Sequence, residues 1–282
     1  MNKISRSEFI KISSTSIGGI LLLPHHSCSG ISNNKLTING ISNYQIVIPN
    51  NPSKIEKEAS NQLETHLLLL SKKAPKIINE TEYVGKNGIF IGETNYVNNK
   101  NIDTNTLEED GFLFKNIGDD FLIQGGSEKG LLFGVYSLLE SFGFRKYAAD
   151  DPLDIPTTIN LELPNDIIKV PKINYRTTNY YEGRDSEYAD WNKLSSRDSW
   201  GLFVHTFEVL VPPEKYGESN PEYYSLINGE RNVVTQLCLT NPEMFDVLVK
   251  DLRKRINENP KAKYWSVSQN DNDKYCQCGP CT

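Results

Sequence analysis

The sequence predicts a two-part α/β chain. A small α+β sandwich should occupy residues 31–165, followed by a β/α segment over 172–282. Three observations predict this. Short apolar runs alternate with helix-patterned segments from Tyr44 to Phe142. Turn formers then dominate residues 150–173. Beyond them, a strand, a long loop, a helix and a strand follow in order, the logic of a parallel sheet.

Each element has its own warrant. Tyr44–Ile48 is a short apolar strand. Asn51-Pro52 offers a helix cap and a proline at the first helical position. Ile55, Ala59, Leu63, Leu67 and Leu70 then mark one helical face. Gly88–Gly92 is an apolar strand between glycines. Residues 111–115 and 120–124 flank a turn and predict a hairpin. Ser127 caps a second helix carrying Leu131, Leu132, Val135, Leu138, Leu139 and Phe142, and Gly143 ends it. The order β-α-β-β-β-α predicts helices on one face of a mostly antiparallel sheet.

Residues 150–173 read as a linker. Asn174–Tyr181 then reads as a strand, 191–199 as a helix or loop, and Trp200–Phe207 as a second strand. Asn241-Pro242 opens a helix with Phe245, Leu248, Val249, Leu252 and Ile256 on one face. Tyr264–Ser268 is the last strand, with Gln269-Asn270-Asp271 at its carboxyl end.

Composition removes several classes. The chain has 282 residues, 38% of them hydrophobic, enough for one or two cored domains. Lys+Arg 30 against Asp+Glu 36 gives a net charge of -6, which argues against binding a nucleic-acid backbone. No run approaches ~18 uninterrupted apolar residues, so a polytopic membrane protein is excluded.

The first 28 residues read as an export signal. Lys3, Arg6 and Lys11 precede the apolar run Ile17–Leu23, and small residues follow. Ser5–Lys11 resembles the twin-arginine export motif, with Ser7 in place of the second arginine. Ser27-Cys28 resembles a lipoprotein cleavage site, which would make Cys28 the acylated residue and the lipid the only membrane attachment. The expected location is the periplasm or cell surface.

Carboxylates and a histidine lie near predicted strand ends, where β/α barrels place their chemistry. These are His205 after Phe203-Val204, Asp271 after Asn270, and Glu182 with Arg184 after the 174–181 run. Glycoside hydrolysis needs a proton donor and a nucleophile or base, so Asp271, His205 and Glu182 are the candidate catalytic residues. Arg184 is a candidate for binding substrate, Trp200 and Tyr181 offer flat faces for sugar rings, and Asn270 adds a polar amide. Each of these also reads as a turn, core or surface residue. Cys276, Cys278 and Cys281 fit part of a zinc site. They fit equally a disulfide with one thiol over, or pairing with Cys238. No organic cofactor is expected, because no Gly-rich phosphate loop follows a strand.

Several motifs are shared with known families. His205-Thr-Phe, Asn220-Pro-Glu-Tyr-Tyr-Ser-Leu226, Gly229-Glu-Arg231, Gln236–Pro242, Ser266–Asp271 and Tyr275-Cys-Gln-Cys278 resemble a secreted bacterial domain of unknown function, common in Bacteroidetes and related to glycoside hydrolases. Ile89–Gly92, Gly111-Phe112, Leu122–Gly126, Gly130–Tyr136 and Gly143–Arg145 resemble the accessory domain before the barrel of family 67 α-glucuronidases and family 20 β-hexosaminidases. The resemblance implies a hexosaminidase domain-2-like sandwich, followed by the amino-terminal part of a (β/α)8 barrel. A complete barrel takes about 250 residues, so this one is expected to be truncated.

The functional expectation is a secreted carbohydrate-active protein of α-glucuronidase or hexosaminidase type, with glycan as partner and no nucleic acid. The alternatives are a non-catalytic surface glycan binder and an inactive fragment of a longer enzyme.

Overall fold

The computed structural model describes residues 41–100, 102–157 and 161–282, with no side-chain account for Ser42, Glu182 and Arg197. The export signal and Cys28 lie outside the described residues. No helix among these residues is long and apolar enough to cross a membrane.

The first part is built on one six-stranded sheet. Its strands are β1 (Gln45–Ile48), β2 (Lys76–Asn79), β3 (Gly88–Ile91), β4 (Phe112–Ile117), β5 (Asp120–Gly125) and β6 (Ile167–Lys169), in the order β2-β1-β3-β5-β4-β6. β1 runs parallel to β2 and β3, and β3 runs parallel to β5. Only β4 is antiparallel, against β5 and β6. The sheet is therefore mainly parallel, which corrects the antiparallel expectation. The physical reason lies in β2, whose four residues KIIN are only partly buried and carry a weak strand signal. With β2 in place, helix α1 (Lys54–Ser71) becomes the crossover that parallel neighbours require. The expected hairpin is present, with Ile117 opposite Asp120.

Helix α1 begins two residues later than Asn51-Pro52 suggests. Ser53 and Glu56 form a reciprocal capping box: the Glu56 N–H donates to Ser53 Oγ (3.1 Å) and the Ser53 N–H to Glu56 Oε2 (2.8 Å). Lys72 ends the helix in the left-handed region, φ 60. Ser127 caps α2 (Glu128–Ser141), accepting from the N–H groups of Lys129 and Gly130. After Phe142, Gly143 turns the chain away at φ 104. Gly130 packs so close to the sheet that a Cβ would stand 2.3 Å from the Gly111 carbonyl oxygen.

Both long helices cover one face of the sheet. Leu63, Leu67, Phe121, Ile123, Leu132 and Leu139 share that core. The opposite face carries a second layer around Val47, Phe90, Val97 and Leu122, closed by the one-turn helix Asn95–Asn98.

The expected linker is partly structural. Leu161 (4% exposed) and Leu163 (6%) enter the main core, and β6 forms the sheet edge. Helix α3 (Ser186–Trp191) then delivers Trp191 to the same core, its ring tilted against Tyr136 with centroids 4.7 Å apart. Two short leucines and a three-residue strand leave too little period to read from sequence.

From Asn174 onward the elements other than the helix after Asn241 are shorter than expected. Asn174–Tyr181 forms no strand and ends in a 3-10 turn, Tyr181–Arg184. Strand β7 (Trp200–Leu202) is short, because His205 adopts φ 57 and redirects the chain into a helical turn, Phe207–Leu210. A hairpin follows, β8 (Tyr224–Ile227) and β9 (Glu230–Leu237). Its turn, Asn228-Gly229, has positive φ at both residues (52 and 87), as a two-residue hairpin loop requires.

Asn241 caps helix α4 (Pro242–Glu258) by accepting from the Met244 N–H (3.0 Å), with Pro242 at its first position. Met244 and Leu248 join the second core with Phe207, Leu210, Tyr224 and Leu237. Phe245 is 56% exposed and Ile256 40%, so the buried stripe is rotated from the predicted one. The last strand, β10 (Tyr264–Trp265), pairs parallel with β7 (Trp200–Leu202). Among the described residues this region holds one parallel pair and one hairpin; no closed barrel is formed.

Candidate functional site

The carboxyl ends of β7 and β10 meet in a polar clasp. The His205 N–H donates to Ser268 Oγ (2.9 Å), and His205 Nδ1 lies 3.1 Å from the Gln269 carbonyl oxygen. Thr206 closes the next rung. Its hydroxyl donates to Ser266 O (3.0 Å) and accepts from the Ser268 N–H (3.0 Å). The N–H groups of Thr206 and Phe207 both donate to Ser268 O. His205 itself is exposed, in a left-handed conformation that non-glycine residues adopt at a cost.

Gln236 supports this clasp from the end of β9. It is 2% exposed, and its amide nitrogen donates to Asn270 O (2.7 Å) and Asn272 O (2.8 Å). Its Oε1 accepts from the Asn270 N–H (2.9 Å). Asn270 also donates to Thr235 O (2.7 Å) and accepts from the Glu208 N–H (3.3 Å). A buried amide must satisfy both its ends, and Gln236 does so with peptide groups of the 270–272 loop. Gln236, Thr206 and Ser268 were not among the predicted site residues. The signal for Gln236 is a polar side chain at the buried end of a strand.

The clasp brings His205 and Asn270 together. Asp271 follows Asn270 directly and is exposed at the rim. Arg184 and Tyr181 meet each other elsewhere, with the guanidinium 5.0 Å from the ring centroid and both residues exposed. Glu182 contributes its backbone to the same turn. Trp200 packs among Tyr175, Phe203 and Tyr264 at 5.1–5.6 Å, so its ring is partly enclosed. A polar cleft lined by Asp110, Tyr175, Arg176, Lys263 and Tyr264 contains none of the predicted residues.

The cysteines form a second feature. Cys238, one residue past β9, joins Cys276, Cys278 and Cys281, and the four sulfurs lie within 4.8 Å of one another. All four are free thiols. The Leu226 N–H points at Cys276 Sγ (3.3 Å), and Thr240 Oγ1 lies 3.1 Å from Cys281 Sγ. Burial pushes the Cys276 thiol up, whereas hydrogen bonding to Thr240 draws the Cys278 thiol down. Such a set of sulfurs can hold a soft or borderline metal ion.

Residues 29–138 match the family model described as the glycosyl hydrolase family 67 N-terminus, and residues 147–282 match that of a domain of unknown function, DUF4838. Two family models thus match adjoining stretches of the chain. The clasp and the four cysteines all fall in the DUF4838 segment.

No curated protein matches the chain. Solved structures similar to it are glycoside hydrolases. A family GH115 4-O-methyl-α-glucuronidase, BtGH115A, is 14% identical, covers 48% of this chain and 19% of its own, and has a TM-score of 0.35. A GH20 exo-β-N-acetylglucosaminidase from Vibrio harveyi is 19% identical over 47% of this chain and 16% of its own, with a TM-score of 0.29. CpGH84B is 17% identical over 83% of this chain and 34% of its own, with a TM-score of 0.35. The chain thus spans about a third or less of each of these proteins.

Proposed function

We propose that this is an exported, carbohydrate-active protein of glycoside-hydrolase type, directed at glycans bearing uronate or hexosamine units. The observation that carries the reading is the family 67-type amino-terminal segment placed directly before the DUF4838 segment. The strand-end clasp supports it. His205 and Asn270 stand at the carboxyl ends of two parallel strands, where β/α proteins place ligand-binding groups.

In this reading the exposed Asp271 carboxylate takes the acid/base or sugar-binding role, and His205 orients a polar or anionic sugar. Arg184 presents a planar fork that suits a uronate carboxylate.

The chemistry of the clasp favours a second reading. Gln236, Asn270, Thr206 and Ser268 commit their amides and hydroxyls to peptide groups of the clasp, which makes it a rigid frame that presents exposed His205 for binding a sugar without turnover. The protein would then be a surface glycan binder.

One pair of measurements tests both. The whole chain is assayed on uronic-acid and hexosamine glycosides and, in parallel, on a glycan array. Product release that Asp271→Asn abolishes supports the hydrolase. Array binding without product supports the binder. Neither turnover nor binding on any glycan overturns the carbohydrate reading.

A further inference from the structure

We propose that Cys238, Cys276, Cys278 and Cys281 hold one zinc ion in a closed, four-thiolate structural centre. This goes beyond the carbohydrate reading and does not depend on it.

Geometry is the first support. Zinc–sulfur bonds of about 2.3 Å in a tetrahedron set the sulfurs about 3.8 Å apart. Cys238 Sγ lies 3.6 Å from Cys278 Sγ and 3.9 Å from Cys281 Sγ. All four sulfurs fall within 4.8 Å of one another, so they converge on one point. A disulfide would draw one pair to about 2.05 Å and turn the others away.

The surroundings are the second support. Four thiolates around Zn2+ carry a net charge of two minus, and such sulfurs need donors. Two are aimed at them, the Leu226 N–H at Cys276 (3.3 Å) and the Arg231 guanidinium at Cys276 (3.9 Å), and the Thr240 hydroxyl, 3.1 Å from Cys281 Sγ, is placed to donate to a thiolate there. Arg231 also donates to the Tyr224 carbonyl (2.7 Å), which fixes its reach. A disulfide sulfur has little use for these donors.

The sequence supplies the frame. Cys276-x-Cys278-x-x-Cys281 puts three ligands on one short turn, while Cys238 comes from the end of β9, forty residues before Cys278. The binding step balances simply. Zinc displaces four protons from four thiols to solvent, with no oxidant or reductant. Four sulfurs fill a tetrahedral shell, so no coordination place remains for water or substrate, and the role is structural.

That role is specific. Gln236 stands two residues before Cys238, and the loop it holds runs directly into Cys276. The metal would therefore fix both sides of the clasp at once.

Elemental analysis of the whole chain, purified without chelator or reductant, is the test. We expect one zinc per chain. Replacing it with Co2+ should give intense thiolate-to-cobalt absorption and the visible bands of tetrahedral cobalt. Arg231→Gln should weaken zinc affinity by roughly 10-fold or more. Cys238→Ser should lose the four-sulfur cobalt spectrum. If that variant fails to fold, the stoichiometry and cobalt spectrum of the native chain decide. Metal-free folded protein whose mass is lower by two or four hydrogen atoms would show disulfides and overturn the proposal. So would zinc retained with unchanged affinity in a folded Cys238→Ser.

Discussion

Gln236 and Asn270 grip each other through both ends of one side-chain amide, with Nε2 on the Asn270 carbonyl at 2.7 Å and the Asn270 N–H on Oε1 at 2.9 Å. The pair copies one rung of a β-ladder using a side chain. It therefore fixes a loop where no strand continues. Replacing Gln236 with Leu keeps the volume but leaves buried peptide groups unpaired, at about 1–3 kcal/mol. We expect a lower chemical-denaturation midpoint, and faster amide exchange at Asn270 and Asn272. Unchanged exchange there would show that the clasp does not depend on Gln236.

His205 sits at φ 57 and is exposed, so its backbone cost is not repaid by core packing. His205→Gly removes that strain, worth roughly 1 kcal/mol. The Nδ1 contact to Gln269 is lost, but at an exposed site its net worth is small. The expected outcome is a melting temperature equal to or above that of the native chain, with glycan affinity at least tenfold lower. A clear fall in melting temperature with binding intact would make His205 a structural residue.

Trp191 is 1% exposed and packs on Tyr136 and His66. Trp191→Ala should cost about 3–5 kcal/mol, the range for removing a large buried aromatic. A differential scanning experiment should show the main transition shifting down. A change under 1 kcal/mol would mean that the first core is complete without α3.

His66 gives the stability a pH dependence. Burial lowers its pKa, against weaker raising effects from the Gln62 carbonyl and Glu187. Its Nδ1 lies 2.6 Å from the Gln62 carbonyl oxygen, which the neutral ring satisfies by donating. Below the unfolded pKa of about 6.5, the unfolded chain takes up a proton that the folded chain resists. Stability is therefore full above that pH and falls as pH drops through it toward the lowered folded pKa. Urea unfolding at a series of pH values should show this slope. His66→Phe, which keeps the aromatic contacts with Phe144 and Trp191, should flatten it.

Much of the fold was legible in local pattern. The apolar stripe of α1, the Ser127 cap and the Asn241-Pro242 start all read directly, because each depends on residues within one or two turns. The capping box of Ser53 and Glu56 was equally local and overrode the neighbouring Asn51-Pro52. Asn228-Gly229 carries a hairpin signal of the same kind. By contrast, β2 and β6 have four and three residues, and only their neighbours in space make them strands.

The site divides the same way. His205 and Asp271 stand near predicted strand ends, so position alone marked them. Gln236 and Thr206 act on partners 34 and 62 residues away in the chain, which no spacing rule reveals. Cys238 is the same case. It was visible as a thiol, but only the return of the 276–281 turn to the end of β9 makes it a fourth ligand.

Strand β6 has a consequence for the history of the gene. It completes the sheet of the family 67-type segment, and Trp191 completes its core, yet both are encoded within the DUF4838 stretch. Recombination in the gap between residues 138 and 147 would hand a new partner an unfinished sheet edge and a missing aromatic plug. A crossover that keeps the first sheet and core whole would fall beyond Trp191, so the folding unit extends past the 29–138 match.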